Sequence, residues 1–106
     1  MAKEPWIQVR RSVALFALAM EGQLQDNDHK GGWEKCTLGY LFKRLHEESE
    51  ELLAAAVDGH AEAMIDDVPW TEVSTRRSLH EAADVANFAM MIADVCAKRQ
   101  KGERDG

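Results

Sequence analysis

At 106 residues, 45% of them hydrophobic, the chain is long enough for one modest core and too short for two. A formal charge of -6 argues against a nucleic-acid polymer or an anionic membrane surface as partner, since both ask for a basic face; a free nucleotide stays open, because a bound cation can mediate between acidic protein and anionic ligand. Cys36 and Cys96 stand far apart without CxxC or Cys/His spacing, so neither a zinc site nor a disulfide framework is expected, and reduced thiols in a cytoplasmic protein are the plain reading.

Pro5 opens a first helix predicted over Trp6 to about Gln25, since its missing N–H costs nothing in a first turn. Trp6, Val9, Val13, Phe16 and Met20 recur at steps of three and four, the stripe of an amphipathic helix packing on its own domain. Arg10-Arg11 and Ala17-Leu18-Ala19, which mimic a secretory signal, are therefore read as part of that helix. The apolar run is also short of the roughly 18 residues that a membrane span needs.

Asp26 to Gly32 reads as a loop. A second helix begins after Thr37 as N-cap and is predicted to stop at Val57 or Asp58, before Gly59, with Leu38, Leu41, Phe42, Leu45, Leu52 and Ala56 as its core stripe. A short helix over Ala61 to Ile65 precedes the proline break in Asp66-Asp67-Val68-Pro69-Trp70. The third long helix runs from Glu72 or Thr75 to Lys98, and the charged tail beyond is expected to fray, with 101–106 disordered. No stretch alternates with period two, so the expected fold is all-α: one domain over residues 1–100, a bundle of three long helices plus a short one. The third helix carries apolar residues on more than one face, among them Leu79, Val85, Phe88, Met91 and Val95. The bundle is therefore expected to be completed by oligomerisation, as a homodimer or homotetramer.

The candidate chemistry lies in carboxylates. Glu47, Glu48 and Glu51 share one side of the second helix, and Glu81 and Asp84 one side of the third, by their spacings of three and four. Glu50 points elsewhere and is read as solvated. Glu48 follows Leu45 by three residues and precedes Leu52 by four, Glu81 continues the line of Val85, Phe88 and Ile92, and Asp84 is flanked by alanines and Val85, so these acids face inward or nearly so. A solvated face paired with lysine or arginine is the common explanation of a Glu-rich helix, but no Lys or Arg occurs between Leu45 and Thr75, nor from Ser78 to Ala97. Lys43 and Arg44 can reach Glu47 and Glu48, whereas Glu51, Glu81 and Asp84 have no basic neighbour at helical spacing. Inward carboxylates without cations repel one another, a cost that a divalent cation removes. An all-oxygen set suits Mg²⁺, with Mn²⁺ as substitute. A di-iron site would want Glu-x-x-His, which is absent, and Asp26 to Thr37 fits a calcium loop poorly, since Lys30 takes a ligand position.

Glu48-x-x-Glu51-Leu52 followed by Glu81-x-x-Asp84-Val85 on a later helix resembles the MazG-like all-α NTP pyrophosphatase superfamily, over about Gly31-Gly32-Trp33, Leu41 to Ala56 and Leu79 to Asp94. The resemblance implies a Mg²⁺-dependent nucleotide pyrophosphohydrolase that converts an NTP or dNTP to the monophosphate and pyrophosphate. It implies Glu48, Glu51, Glu81 and Asp84 as metal ligands bridging to the triphosphate, and Glu47, beside Glu48 in the catalytic pair, as a further ligand or as the group that orients the attacking water. Three residues are substrate-binding candidates. Asn87, one turn after Asp84, offers a hydrogen bond to sugar or base, or else forms a buried polar pair. Lys30 can contact phosphate, and Trp33 can stack on the base or plug the core. His29, His46 and His80 belong to no ligand constellation and read as surface or packing residues; Arg76 and Arg77 can serve phosphate or pair with Asp66-Asp67. Few base-specific groups are evident, so the base stays open. The rival reading is a non-catalytic acidic helical module that dimerises or binds a protein through its apolar third helix.

Overall fold

The structure is a computed structural model that describes residues 7–66 and 71–105, with the side chains of all of these but 62, 65, 66 and 101–105. It is all-α: α1 (Arg11–Asp26), α2 (Leu38–Asp66) and α3 (Glu72–Asp105), with one 3₁₀ turn at Asp28–Lys30. Among the described residues there is no strand, and no helix is long and apolar enough to cross a membrane.

α3 is the central element. α2 packs along it and α1 crosses it, while among the described residues the backbones of α1 and α2 do not come close. The buried apolar side chains follow this pairing: Leu41 and Ala55 from α2 meet a line that holds Ala83 and Val95 on α3. The Cα radius of gyration is 17.3 Å, against about 13 Å for a compact domain of this length.

Several helix boundaries follow from capping. The Thr37 hydroxyl accepts the Tyr40 N–H at 3.1 Å and starts α2 as predicted. Thr71 does the same for α3, accepting the Ser74 N–H at 3.0 Å. Other boundaries differ from expectation. α1 begins at Arg11, not at Trp6, which lies outside the described residues with Pro5; Arg10 stands in extended geometry with no side-chain cap, after the β-branched Ile7 and Val9. Gly59 does not stop α2, which runs through the expected break and absorbs the short helix at Ala61 to Ile65. Gly59 is buried, and the packing of α2 on α3 outweighs a glycine cost of about 1 kcal/mol. The short fourth element is instead the 3₁₀ turn. α3 continues past Lys98 to Asp105, over the stretch read as a fraying tail; Ala97, Lys98, Arg99 and Gln100 are all good helix formers.

The apolar stripes are only partly covered. Phe16 and Met20 on α1 are half-buried, but Val9 and Val13 are 57% and 55% exposed, because only the C-terminal half of α1 rests on α3. On α2, Leu38, Leu45, Leu52 and Ala56 are half-buried, whereas Phe42, expected in the core, is 52% exposed.

Candidate metal centre

Glu48 and Glu51 on α2 meet Glu81 on α3. One carboxylate oxygen from each of the three lies within 4.8 Å of the others. Glu48 is buried, Glu81 half-buried and Glu51 exposed, so the group sits at the edge of the α2–α3 contact and opens to solvent on one side. With the acids ionised, Glu48 Oε2 and Glu81 Oε2 are buried acceptors that no donor of the described protein reaches. A buried, unsatisfied charged oxygen is costly, and two beside a third carboxylate form a set that can hold a metal ion.

The proton affinities register this crowding. Burial, then a hydrogen bond to Glu51 and the charges of Glu51 and Asp84, push Glu48 up to about 7, with Arg44 opposing. Burial also raises Glu81, helped by the charge of Glu51, a hydrogen bond to it and the charge of Asp84. Asp84 thus acts on both acids while standing outside the trio. Its Oδ1 accepts a 2.9 Å hydrogen bond from Gln23 Nε2 on α1, and its Oδ2 lies 3.5 Å from His80 Nε2. Gln23 Nε2 is also 3.1 Å from His80 Nε2.

Glu47 takes no place in the trio. Arg44 donates to Glu47 Oε1 and to Glu48 Oε1, both at 2.7 Å, and that hydrogen bond holds Glu47 below the usual carboxylate range. The Arg44 guanidinium lies 5.2 Å from the centroid of the Phe88 ring. Glu50 is solvated, as expected, and paired with His46 at 2.9 Å.

A pocket of about 540 Å³ is lined by Glu48 and Asp84 but not by Glu51 or Glu81, with Arg44, Lys30, Trp33 and Asn87 among its other lining residues. Its volume falls in the usual range for small-molecule sites. All three substrate-binding candidates thus share one cavity. Gly31 ends the 3₁₀ turn with φ 91 and ψ 175, a backbone that favours glycine, and Gly31, Gly32 and Trp33 all line the cavity. Trp33 Nε1 donates to Asp94 Oδ2 at 2.9 Å, and Lys98 Nζ meets the same oxygen at 2.9 Å; Lys98 and Trp33 together hold Asp94 below its ordinary range. Asn87 is 3% exposed and donates Nδ2 to the Met20 carbonyl at 3.0 Å. A carbonyl only accepts, so the amide orientation is fixed, and Asn87 Oδ1 is left as a buried acceptor without a partner.

Three groups at this site escaped sequence reasoning. His80 is exposed, in keeping with its reading as a surface or packing residue, but its i, i+4 contact with Asp84 places it at the site. Gln23 gave no signal, because only the crossing of α1 over α3 brings it to Asp84. Asp94 likewise meets Trp33 across 61 positions of chain. Arg76 and Arg77 are engaged elsewhere, with Glu72 at 2.8 Å and Asp58 at 3.2 Å. Comparison with protein-family models, with curated proteins and with solved structures finds no match to this chain.

Proposed function

We propose that the chain is a Mg²⁺-dependent nucleoside-triphosphate pyrophosphohydrolase of the MazG-like all-α kind, converting an NTP or dNTP and water to the monophosphate and pyrophosphate. The observation that carries this reading is the pair of buried, unpartnered oxygens, Glu48 Oε2 and Glu81 Oε2, within a trio of carboxylates beside a pocket of about 540 Å³. The donor set is all oxygen, which fits Mg²⁺, or Mn²⁺ in its place, and not zinc.

In this reading Glu48, Glu51 and Glu81 hold the cation, and Asp84 joins them from its position on Gln23. What the cation supplies is neutralisation of triphosphate charge and polarisation of the phosphoryl oxygens. Water adds its oxygen to the α phosphorus, the α–β anhydride P–O bond breaks, its electron pair leaves on the departing pyrophosphate, and the water proton passes to a site carboxylate. Glu47, kept ionised by Arg44, is a weak proton acceptor and suits an orienting role. Lys30 reaches phosphate from the end of the 3₁₀ turn, Trp33 covers the base, and Asn87 Oδ1 accepts a hydrogen bond from sugar or base. The partner is free nucleotide in the cytoplasm, not a nucleic-acid polymer or a membrane, whose anionic surfaces an acidic chain repels.

Self-association belongs to the same reading. The chain exposes 8363 Å², whereas a compact monomer of this mass exposes about 6000 Å². α1 has no buried residue, and Leu15 and Leu18 are 51% and 69% exposed. The difference, roughly 2400 Å², is about three times the 800 Å² per partner of a standard interface, so it calls for a large obligate homodimer interface or the several interfaces of a homotetramer. The same exposed faces are what a non-catalytic interaction module would show, so turnover decides between the two.

The test incubates the purified chain with a panel of NTPs and dNTPs plus Mg²⁺, with and without EDTA, and resolves monophosphate, pyrophosphate and orthophosphate. Monophosphate with pyrophosphate, lost in EDTA, is the expected result. Orthophosphate as first product would make the chain a phosphatase, and no turnover by folded, metal-supplemented protein would leave the interaction module.

A further inference from the structure

We infer that Arg44 is a positioning residue for the metal centre: it fixes the Glu48 carboxylate by one oxygen so that the other is presented to the cation. The inference rests on the metal-site reading above and concerns a residue to which that reading gives no part in holding the ion.

Three observations converge on it. The guanidinium does not grip Glu48 with both arms. One nitrogen donates to Glu48 Oε1 and another to Glu47 Oε1, each at 2.7 Å, so Arg44 bridges two neighbouring carboxylates and restricts the torsions of both. Glu48 Oε2 is left buried and without a donor, and Glu48 is the most buried of the three clustered acids. An arginine serving only to neutralise a buried glutamate would gain more from two parallel bonds to the same carboxylate, the usual fork-to-fork geometry. Here one oxygen of the carboxylate is satisfied and the other is left without a donor, in a residue whose carboxylate groups with those of Glu51 and Glu81. The guanidinium itself is held from the third side, 5.2 Å from the Phe88 ring centroid, with its side chain about one-third exposed. Ring and two carboxylates together leave it little freedom to swing.

The division of labour follows. Glu48 lies on α2 and Phe88 on α3, so Arg44 ties the orientation of a ligand to the register of the two helices that bring the ligands together. Outer partners of this kind hold metal-ligating carboxylates in a productive rotamer, and their loss lowers metal affinity about 10–100-fold. The alternative is that Arg44 acts only as a charge. A cation beside a cation site repels the metal, and its removal would then tighten binding.

The two accounts differ in sign, which makes the experiment decisive. Mn²⁺ binding is titrated by electron paramagnetic resonance of the free ion, without nucleotide, for the unsubstituted chain, Arg44→Met, Arg44→Lys and Phe88→Leu, each checked for helical circular dichroism. Arg44→Met, which keeps the aliphatic stem and loses the donors, is expected to bind about 10–100-fold more weakly. Arg44→Lys, which reaches one carboxylate, recovers part of that loss. Phe88→Leu leaves charge and donors in place but removes the ring and gives a smaller loss, which keeps the proposal testable should Arg44→Met fail to fold. Equal or tighter binding by Arg44→Met, or by Phe88→Leu if that is the only folded variant, overturns the positioning role while leaving the metal site standing. Absence of Mn²⁺ binding by the unsubstituted chain overturns both.

Discussion

Replacing Glu48 by Gln in the metal-free chain should stabilise it, and by an amount that depends on pH. Burial and the neighbouring acids raise Glu48 from an ordinary 4.5 to about 7. The folded chain therefore holds this proton more tightly than the unfolded chain does. Stability is intact below the unfolded value, falls as pH rises through the interval, and carries the full penalty above the folded value. At about 1.4 kcal/mol for each tenfold change in proton affinity, the penalty at pH 8 is about 3 kcal/mol. Gln keeps an oxygen for Arg44 and cannot ionise, so Glu48→Gln escapes it. The assay is urea unfolding followed by helical circular dichroism, in EDTA at fixed protein concentration, between about pH 5 and pH 8. The stability gap between variant and unsubstituted chain is expected to widen by about 2–3 kcal/mol across that range. Mg²⁺ should then close it, since a ligand at a hundredfold excess over its Kd stabilises the folded state by about 2.7 kcal/mol. Parallel pH profiles for the two chains would refute the crowding on which the metal-site reading depends.

Glu51→Gln and Asp84→Asn should each lower turnover by at least about a hundredfold while helical circular dichroism survives; retained Mg²⁺-dependent turnover in either would remove that residue from the site. Gly31→Ala forces a side chain onto a backbone at φ 91, at a cost of about 1–3 kcal/mol, and by displacing the Gly32-Trp33 segment should raise KM more than it lowers kcat; an unchanged KM would separate that turn from substrate. Leu18→Glu, at a position 69% exposed on α1, should shift the chain toward monomer in sedimentation equilibrium, and a mass unchanged from the unsubstituted chain would locate the subunit contact elsewhere.

The helices, the Thr37 cap and the inward face of Glu48 and Glu81 were legible because each depends on residues within one or two turns, where spacing fixes direction. The extent of α2 was not, since a local stop signal at Gly59 competes with tertiary packing and loses. Phe42 shows the same limit: the period places it on the stripe, but with α2 packed on α3 alone that side of the helix has no neighbour. Gln23 to Asp84 and Trp33 to Asp94 were invisible for a different reason. They are contacts between elements far apart in the chain, and an uncharged Gln on an exposed helix carries no mark of its destination. Arg44 was visible as a neighbour of Glu47 and Glu48, yet its bridging of the two, with one Glu48 oxygen left open, is a property of rotamers and not of spacing.

The economy of this core bears on why the acids are there. Among the described residues, four buried apolar side chains, Leu41, Ala55, Ala83 and Val95, stand against two buried polar ones, Glu48 and Asn87. Both polar residues line the same pocket, as does Leu41. Each of the two also holds one atom satisfied and one open: Glu48 gives Oε1 to Arg44 and Asn87 gives Nδ2 to Met20, while Glu48 Oε2 and Asn87 Oδ1 have no partner. A chain shaped for stability alone would gain by apolar residues at both positions, because half-satisfied buried polar groups are worse than none. One satisfied and one unsatisfied atom recur on α2 and on α3, in two residues that line one cavity, and the proposed ligand would supply the missing partners.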